Sequence, residues 1–132
     1  MPNPIDRSMP NRHLMRVLIV DDMPQVRQDL HLLLQLTDEL EVVGEASNGA
    51  EAITQAEALR PDVVVMDVEM PGMDGCEATR QIKARGLAGR VVVLSLHVDS
   101  DSLQRAREAG ADVVVDKAGR FEKLLSAIVA TQ

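Results

Sequence analysis

Four apolar runs punctuate the chain: Val17-Leu18-Ile19-Val20, Val63-Val64-Val65-Met66, Val91-Val92-Val93-Leu94 and Val113-Val114-Val115. A weaker fifth, Glu41-Val42-Val43-Gly44-Glu45, lies between the first two. They are continuous and β-branched rather than alternating, as strands are when helices cover both faces of a parallel sheet. Between them the apolar residues take helical spacing. Val26, Leu30, Leu33 and Leu34 form one stripe over residues 24–36, where Pro24 suits a first helical turn. Further helices are predicted over 50–59, with Ser47 or Asn48 as N-cap, and over 75–85, ended by Gly86. Two more follow over 99–109, with Gly110 behind, and over 119–130. Strand and helix alternate five times, which predicts an α/β fold: a (βα)5 doubly wound parallel sheet with right-handed crossovers.

Composition narrows the function. The 132 residues fit one domain, read here as a flexible N-terminal leader over 1–14 and a folded domain over 15–132. The leader holds Pro2, Pro4 and Pro10 and no apolar block, so it is not a secretory signal, and a cytoplasmic location is expected. No apolar run approaches a membrane span. Lys plus Arg number 14 and Asp plus Glu 21, a net charge of −7. That balance, with no basic helix, argues against direct nucleic-acid binding. One Phe, no Trp and no Tyr leave no base-stacking platform. A single cysteine, Cys76, excludes an internal disulfide and is read as a small apolar group at the start of the third helix. His13 and His31 share no metal-like spacing and read as surface residues.

Open α/β sheets bind ligands at the carboxyl ends of their strands. Asp21 and Asp22 follow the first strand, Asp67 the third, Ser95 the fourth and Lys117 the fifth. Three carboxylates, a hydroxyl and an amine therefore converge on one edge. Crowded carboxylates raise one another's pKa unless a cation relieves them. An all-oxygen ligand set suits Mg2+, and Lys117 supplies a fixed positive charge. A carboxylate beside both is what an acyl-phosphate site needs. Taken singly, each residue has a plainer reading. Asp21 or Asp22 could cap the Pro24 helix, Asp67 could form a turn, Ser95 could cap a loop and Lys117 could be a solvated amine.

The stretches Val17-Leu-Ile-Val-Asp-Asp22, Asp62-Val-Val-Val-Met-Asp67, Met70-Pro-Gly-Met-Asp-Gly75, Val91-Val-Val-Leu-Ser95 and Ala109-Gly-Ala-Asp-Val-Val-Val-Asp-Lys117 resemble the receiver domain of bacterial two-component response regulators. The resemblance spans about residues 15 to 130, and its strand-4 ending and strand-5 lead-in are similar to the NarL/FixJ-type subgroup. It implies a flavodoxin-like three-layer α/β/α fold with strand order 2-1-3-4-5. It implies Asp67 as phosphoacceptor, with Asp21, Asp22, Asp67 and the Glu69 backbone carbonyl around Mg2+. It further implies Ser95 as switch hydroxyl and Lys117 as the phosphoryl contact. The Glu69 side chain and His97 stand where the family tunes phosphoryl loss, though solvent exposure on a loop is the plainer reading of both. Two positions depart from the family. Val114 stands where Tyr or Phe is usual, so the family's aromatic rotamer switch has no ring to move. Ala118 stands where Pro is frequent, so a trans bond is expected there.

The resemblance implies a signalling module whose chemistry is limited to Mg2+-dependent self-phosphorylation and slow self-dephosphorylation. The implied partners are a sensor histidine kinase or phosphotransfer protein, and a second copy of the chain upon phosphorylation. In a longer parent, a C-terminal DNA-binding output domain is the expected companion. The alternative is a non-phosphorylated pseudo-receiver acting as a protein–protein adaptor. A metal-dependent phosphatase with an Asp nucleophile is a third reading. Glu69, where that class places a second Asp, weighs against it.

Overall fold

The computed structural model describes residues 14–130. The expected leader, save Leu14, and His13 lie outside the described residues. Ten elements alternate strictly: β1 (Met15–Val20), α1 (Pro24–Gln35), β2 (Leu40–Ala46), α2 (Gly49–Leu59), β3 (Val63–Asp67), α3 (Gly75–Ala84), β4 (Arg90–Ser95), α4 (Ser100–Glu108), β5 (Val113–Asp116) and α5 (Phe121–Val129). The strands form one parallel sheet in the order β2-β1-β3-β4-β5, as expected.

The continuous apolar runs are explained by the two cores they feed. Successive strand residues point to opposite faces. Val17, Ile19, Val63, Val65, Val92 and Leu94 enter one core with Leu34 of α1 and Leu124 and Ile128 of α5. Leu18, Val20, Val64, Met66, Val91 and Val93 enter the other, with Ala52 and Ala56 of α2, Ala78 and Ile82 of α3 and Ala106 of α4. A polar residue inside either run would face one core or the other. The first polar side chains after each run therefore sit at the sheet's rim.

Local chemistry sets the helix starts. Asn48 Oδ1 accepts from Glu51 N at 2.8 Å, and the Glu51 carboxylate reaches back to Ser47 N at 2.7 Å, so α2 is capped reciprocally. Asp74 caps α3 through Glu77 N, and Asp99 caps α4 through Ser102 N. As a cap, Asp99 stays extended, so α4 begins at Ser100 rather than at 99. α5 begins at Phe121 rather than 119, because Asp116 closes a turn first. Its carbonyl accepts from Gly119 N and its carboxylate from Ala118 N, each at 2.9 Å. Gly86 takes a left-handed φ of 63° just past α3, where its lack of a β-carbon makes the chain reversal cheap. The Lys117–Ala118 peptide is trans, as expected.

The sheet changes direction between β1 and β3, since the chain leaves β1 for β2 on one side and returns to β3 on the other. Gly75 locks the floor of that crevice. A β-carbon there would lie 2.2 Å from the Asp67 carbonyl oxygen and 2.9 Å from Val68 Cα, both backbone atoms with nowhere to retreat. Gly75→Ala is expected to lower the unfolding free energy by roughly 1–3 kcal/mol, the usual range for overpacking. Urea denaturation measures this, and an unchanged midpoint would show the contact to be harmless.

Candidate functional site

β1 delivers Asp21 and Asp22 to the rim, and β3 ends on Asp67 beside them. Asp21 and Asp67 are fully buried, while Asp22 is partly exposed. One oxygen from each lies within 4.8 Å of the other two. Asp21 is held by the backbone: its Oδ1 accepts from Met23 N at 2.9 Å, and its carbonyl accepts from Arg27 Nη1 at 2.7 Å. Neither Asp21 nor Asp22 is the N-cap of α1. Met23 takes that place without a side-chain bond.

Lys117 arrives from the turn after β5, its amide bonded to the Ser95 carbonyl at 2.9 Å. Its Nζ lies 3.0 Å from Asp21 Oδ2 and 3.0 Å from Asp67 Oδ1. These are charge contacts without hydrogen-bond alignment, so Asp21 Oδ2 and both Asp67 oxygens have no hydrogen-bond donor although buried. Burial pushes the Asp67 carboxyl up to about 6. Lys117 opposes that rise, whereas the charges of Asp21 and Glu69 add to it. Burial favours loss of the Lys117 proton, but pairing with the two carboxylates outweighs it, and its pKa is net raised. At neutral pH the site therefore holds an ionised carboxylate beside a fixed cation.

The donor set fits a hard cation. It is all oxygen and clustered, and the Asp67 Oδ2 atom is buried without any protein partner. Asp21, Asp22 and Asp67 are the residues that would hold Mg2+. Glu69, whose carbonyl was expected to join them, lies on the β3–α3 loop two residues beyond Asp67.

Ser95, at the end of β4, is 3% exposed. Its hydroxyl lies 3.0 Å from Glu69 Oε2 and 2.9 Å from the His97 carbonyl, and it accepts from His97 N at 3.0 Å. Glu69 Oε1 also accepts from Leu96 N at 3.4 Å. The Glu69 side chain is thus engaged rather than solvated. His97 itself is exposed, in line with its plainer reading. Behind Ser95, Val114 lines a cavity of about 220 Å3 together with Val68, Val93, Cys76, Ala106 and Arg105. Arg105 pairs with Asp74 at 2.5 Å on its wall. Cys76 is buried in the core at the start of α3, as expected.

Sequence reasoning missed two arrangements. Glu69 bridges the β3–α3 and β4–α4 loops, for which only its position two residues after Asp67 was a signal. His31, read as a surface residue, is partly exposed and has a partner the reading did not foresee: its Nδ1 lies against Glu45, which Arg27 also pairs at 3.0 Å. That contact raises the His31 pKa. Nothing in residue spacing joins a residue of α1 to one of β2.

Comparison with known proteins agrees with the geometry. Residues 17–129 match the family described as response regulator receiver domain. The nitrate/nitrite response regulator protein NarL of Escherichia coli K12 is 37% identical over 120 residues, 91% of this chain and 56% of that protein. The transcriptional regulatory protein LiaR of Bacillus subtilis is 39% identical over 117 residues, 89% of this chain and 56% of that protein. The chain thus spans little more than half the length of these relatives. A two-component response regulator of the LuxR family from Aurantimonas sp. SI85-9A1 superposes with a TM-score of 0.83 at 36% identity, covering 89% of this chain and 84% of that one. Among the described residues no helix is long and apolar enough to cross a membrane.

Proposed function

Because the chain belongs to the response regulator receiver family, with relatives of NarL type, we propose that it is the phosphoacceptor module of a two-component system and takes a phosphoryl group on Asp67. The observation that carries this reading is Lys117 set 3.0 Å from each of two buried carboxylates at the sheet's rim. Burying two acids is costly unless cationic partners meet them. An acid pair with one lysine and an orphaned oxygen is arranged for a cation and an anionic group to complete it.

Asp67 Oδ2 is the attacking atom. Its bond to phosphorus forms as the bond from phosphorus to the donor breaks, and the leaving group departs with that electron pair. On a sensor histidine kinase or phosphotransfer protein the leaving atom is a ring nitrogen; on acetyl phosphate it is a carboxylate oxygen. Lys117 neutralises charge on the phosphoryl oxygens, and Ser95 donates to one of them. Mg2+, when bound by Asp21, Asp22, Asp67 and the Glu69 carbonyl, supplies further charge neutralisation. His97, exposed beside the site, tunes access of water. The chemistry ends with slow loss of phosphate, so the chain is a switch rather than a turnover enzyme.

The module acts in the cytoplasm, pairs with a second copy once phosphorylated, and in a longer parent controls a C-terminal DNA-binding domain. NarL and LiaR, both regulators by name, support that last point. A non-phosphorylated adaptor is the second reading, favoured by Val114 alone. Intact mass after incubation with acetyl phosphate and Mg2+ separates the two. One added phosphate is expected, and an unmodified chain speaks for the adaptor.

Mg2+ alone gives a second check. At tenfold excess over its dissociation constant it should stabilise the fold by about 1.4 kcal/mol, by mass action on the native state. Asp22→Ala should lose that gain in thermal unfolding, since Asp22 is the solvent-facing member of the acid cluster. Equal gains in both proteins would place the cation elsewhere.

A further inference from the structure

The hydroxyl of Ser95 carries one proton, and two acceptors already stand around it: Glu69 Oε2 at 3.0 Å and the His97 carbonyl at 2.9 Å. Glu69 Oε1 takes the next amide, Leu96 N. One carboxylate therefore engages two consecutive donors, the last residue of β4 and the first of the loop after it. Among the described residues Glu69 is the only side chain bonded to Ser95. Ser95 is 3% exposed. Val114, whose side chain has no polar atom to offer, lines the adjoining cavity.

We propose that the Glu69 carboxylate is a positioning group that holds Ser95 and the Leu96 amide in the unphosphorylated protein and gives way to the phosphoryl group. The proposal rests on the phosphoacceptor reading of Asp67. A phosphoryl group on Asp67 brings about −1.5 to −2 charges next to a carboxylate, and the two repel. It also needs the Ser95 proton that Glu69 now shares. The two anions are thus exclusive occupants of the same donor. Exchange between them releases or recaptures the loop that leads, four residues on, into the Asp99 cap of α4. A switch of this kind needs no aromatic side chain at position 114.

Amide hydrogen exchange of Leu96, in metal-free protein without phosphodonor, tests the hold directly. Glu69→Ala should speed it roughly fivefold, as loss of one ordinary hydrogen bond does, and Glu69→Gln should fall between, since its amide oxygen still accepts. Unchanged exchange in Glu69→Ala overturns the proposal. The initial rate of phosphate uptake from acetyl phosphate with Mg2+ tests the competition. Glu69→Ala should raise it roughly fivefold where Ser95 is present and leave it unchanged in a Ser95→Ala background, as expected for two groups sharing one bond. Equal acceleration in both backgrounds means that Glu69 acts by charge alone and overturns the proposal. Wild type that takes no phosphate sinks the phosphoacceptor reading instead, and Leu96 exchange then still decides whether Glu69 holds the loop.

Discussion

Asp67→Asn should take up no phosphate and yet unfold less readily than wild type at pH 7, by roughly 3 kcal/mol in metal-free buffer. Loss of labelling follows from loss of the carboxylate proposed to accept the phosphoryl group. The gain in stability follows from the carboxyl's raised pKa, about 6 in the fold against an ordinary 3.8. A carboxyl raised on folding is disfavoured where it is ionised. It costs nothing below pH 3.8, costs progressively more between that value and 6, and costs its full amount above. Wild type should therefore lose stability as pH rises through this window, and the asparagine variant should not. Urea titrations at pH 4 and pH 7 measure the difference. A variant no more stable at pH 7 than at pH 4, relative to wild type, would show that the carboxylate is comfortable where it sits. Acids in a ligand site are kept for chemistry at some expense in stability, the trade common at functional sites.

Lys117→Met should have the opposite effect. It leaves Asp21 and Asp67 facing each other, both fully buried, with no ammonium between them. Removing one partner of a buried ionic cluster costs about 3–5 kcal/mol. The lower end is expected here because the Lys117 side chain is 17% exposed. Since the lysine's pKa is raised on folding, its contribution is complete below its ordinary value of 10.5, fades as pH rises from there to the folded value, and is gone above it. The loss must therefore be present at pH 7. It should shrink near pH 4.5, where Asp67 takes a proton, and in the Asp67→Asn background, where one acid is absent. A loss of the same size at both pH values and in both backgrounds would mean that the methylene stem rather than the charge supports the fold.

Much of this was legible in the residues, and the reason is physical. A strand covered on both faces cannot carry a polar side chain, so Val17–Val20 and the runs like it end where the sheet ends. The first polar residues, Asp21, Asp67 and Ser95, had to lie on the rim. Helix starts were legible only to within a residue or two. Asp99 and Gly119 are compatible with a helix, but one caps α4 and the other closes a turn with Asp116. The partner of His31 was not legible because Glu45 lies on a different element.

The order of strands and helices, the two-faced burial and the identity of the rim residues belong to the amino-acid sequence, because periodicity and hydrophobicity are local properties. The rest required the folded chain. Lys117 meets Asp21 and Asp67 because β1 pairs with β3, and Lys117 follows β5, which joins β3 through β4. The register that sets Asp67 against Leu94 and Ser95 against Asp116 then brings the loops within reach of one another. Glu69 finds Ser95 across 26 positions by the same register and by its own rotamer. Distances between strands distant in sequence depend on how they align and on which way their side chains turn, and neither is written in any one stretch of residues.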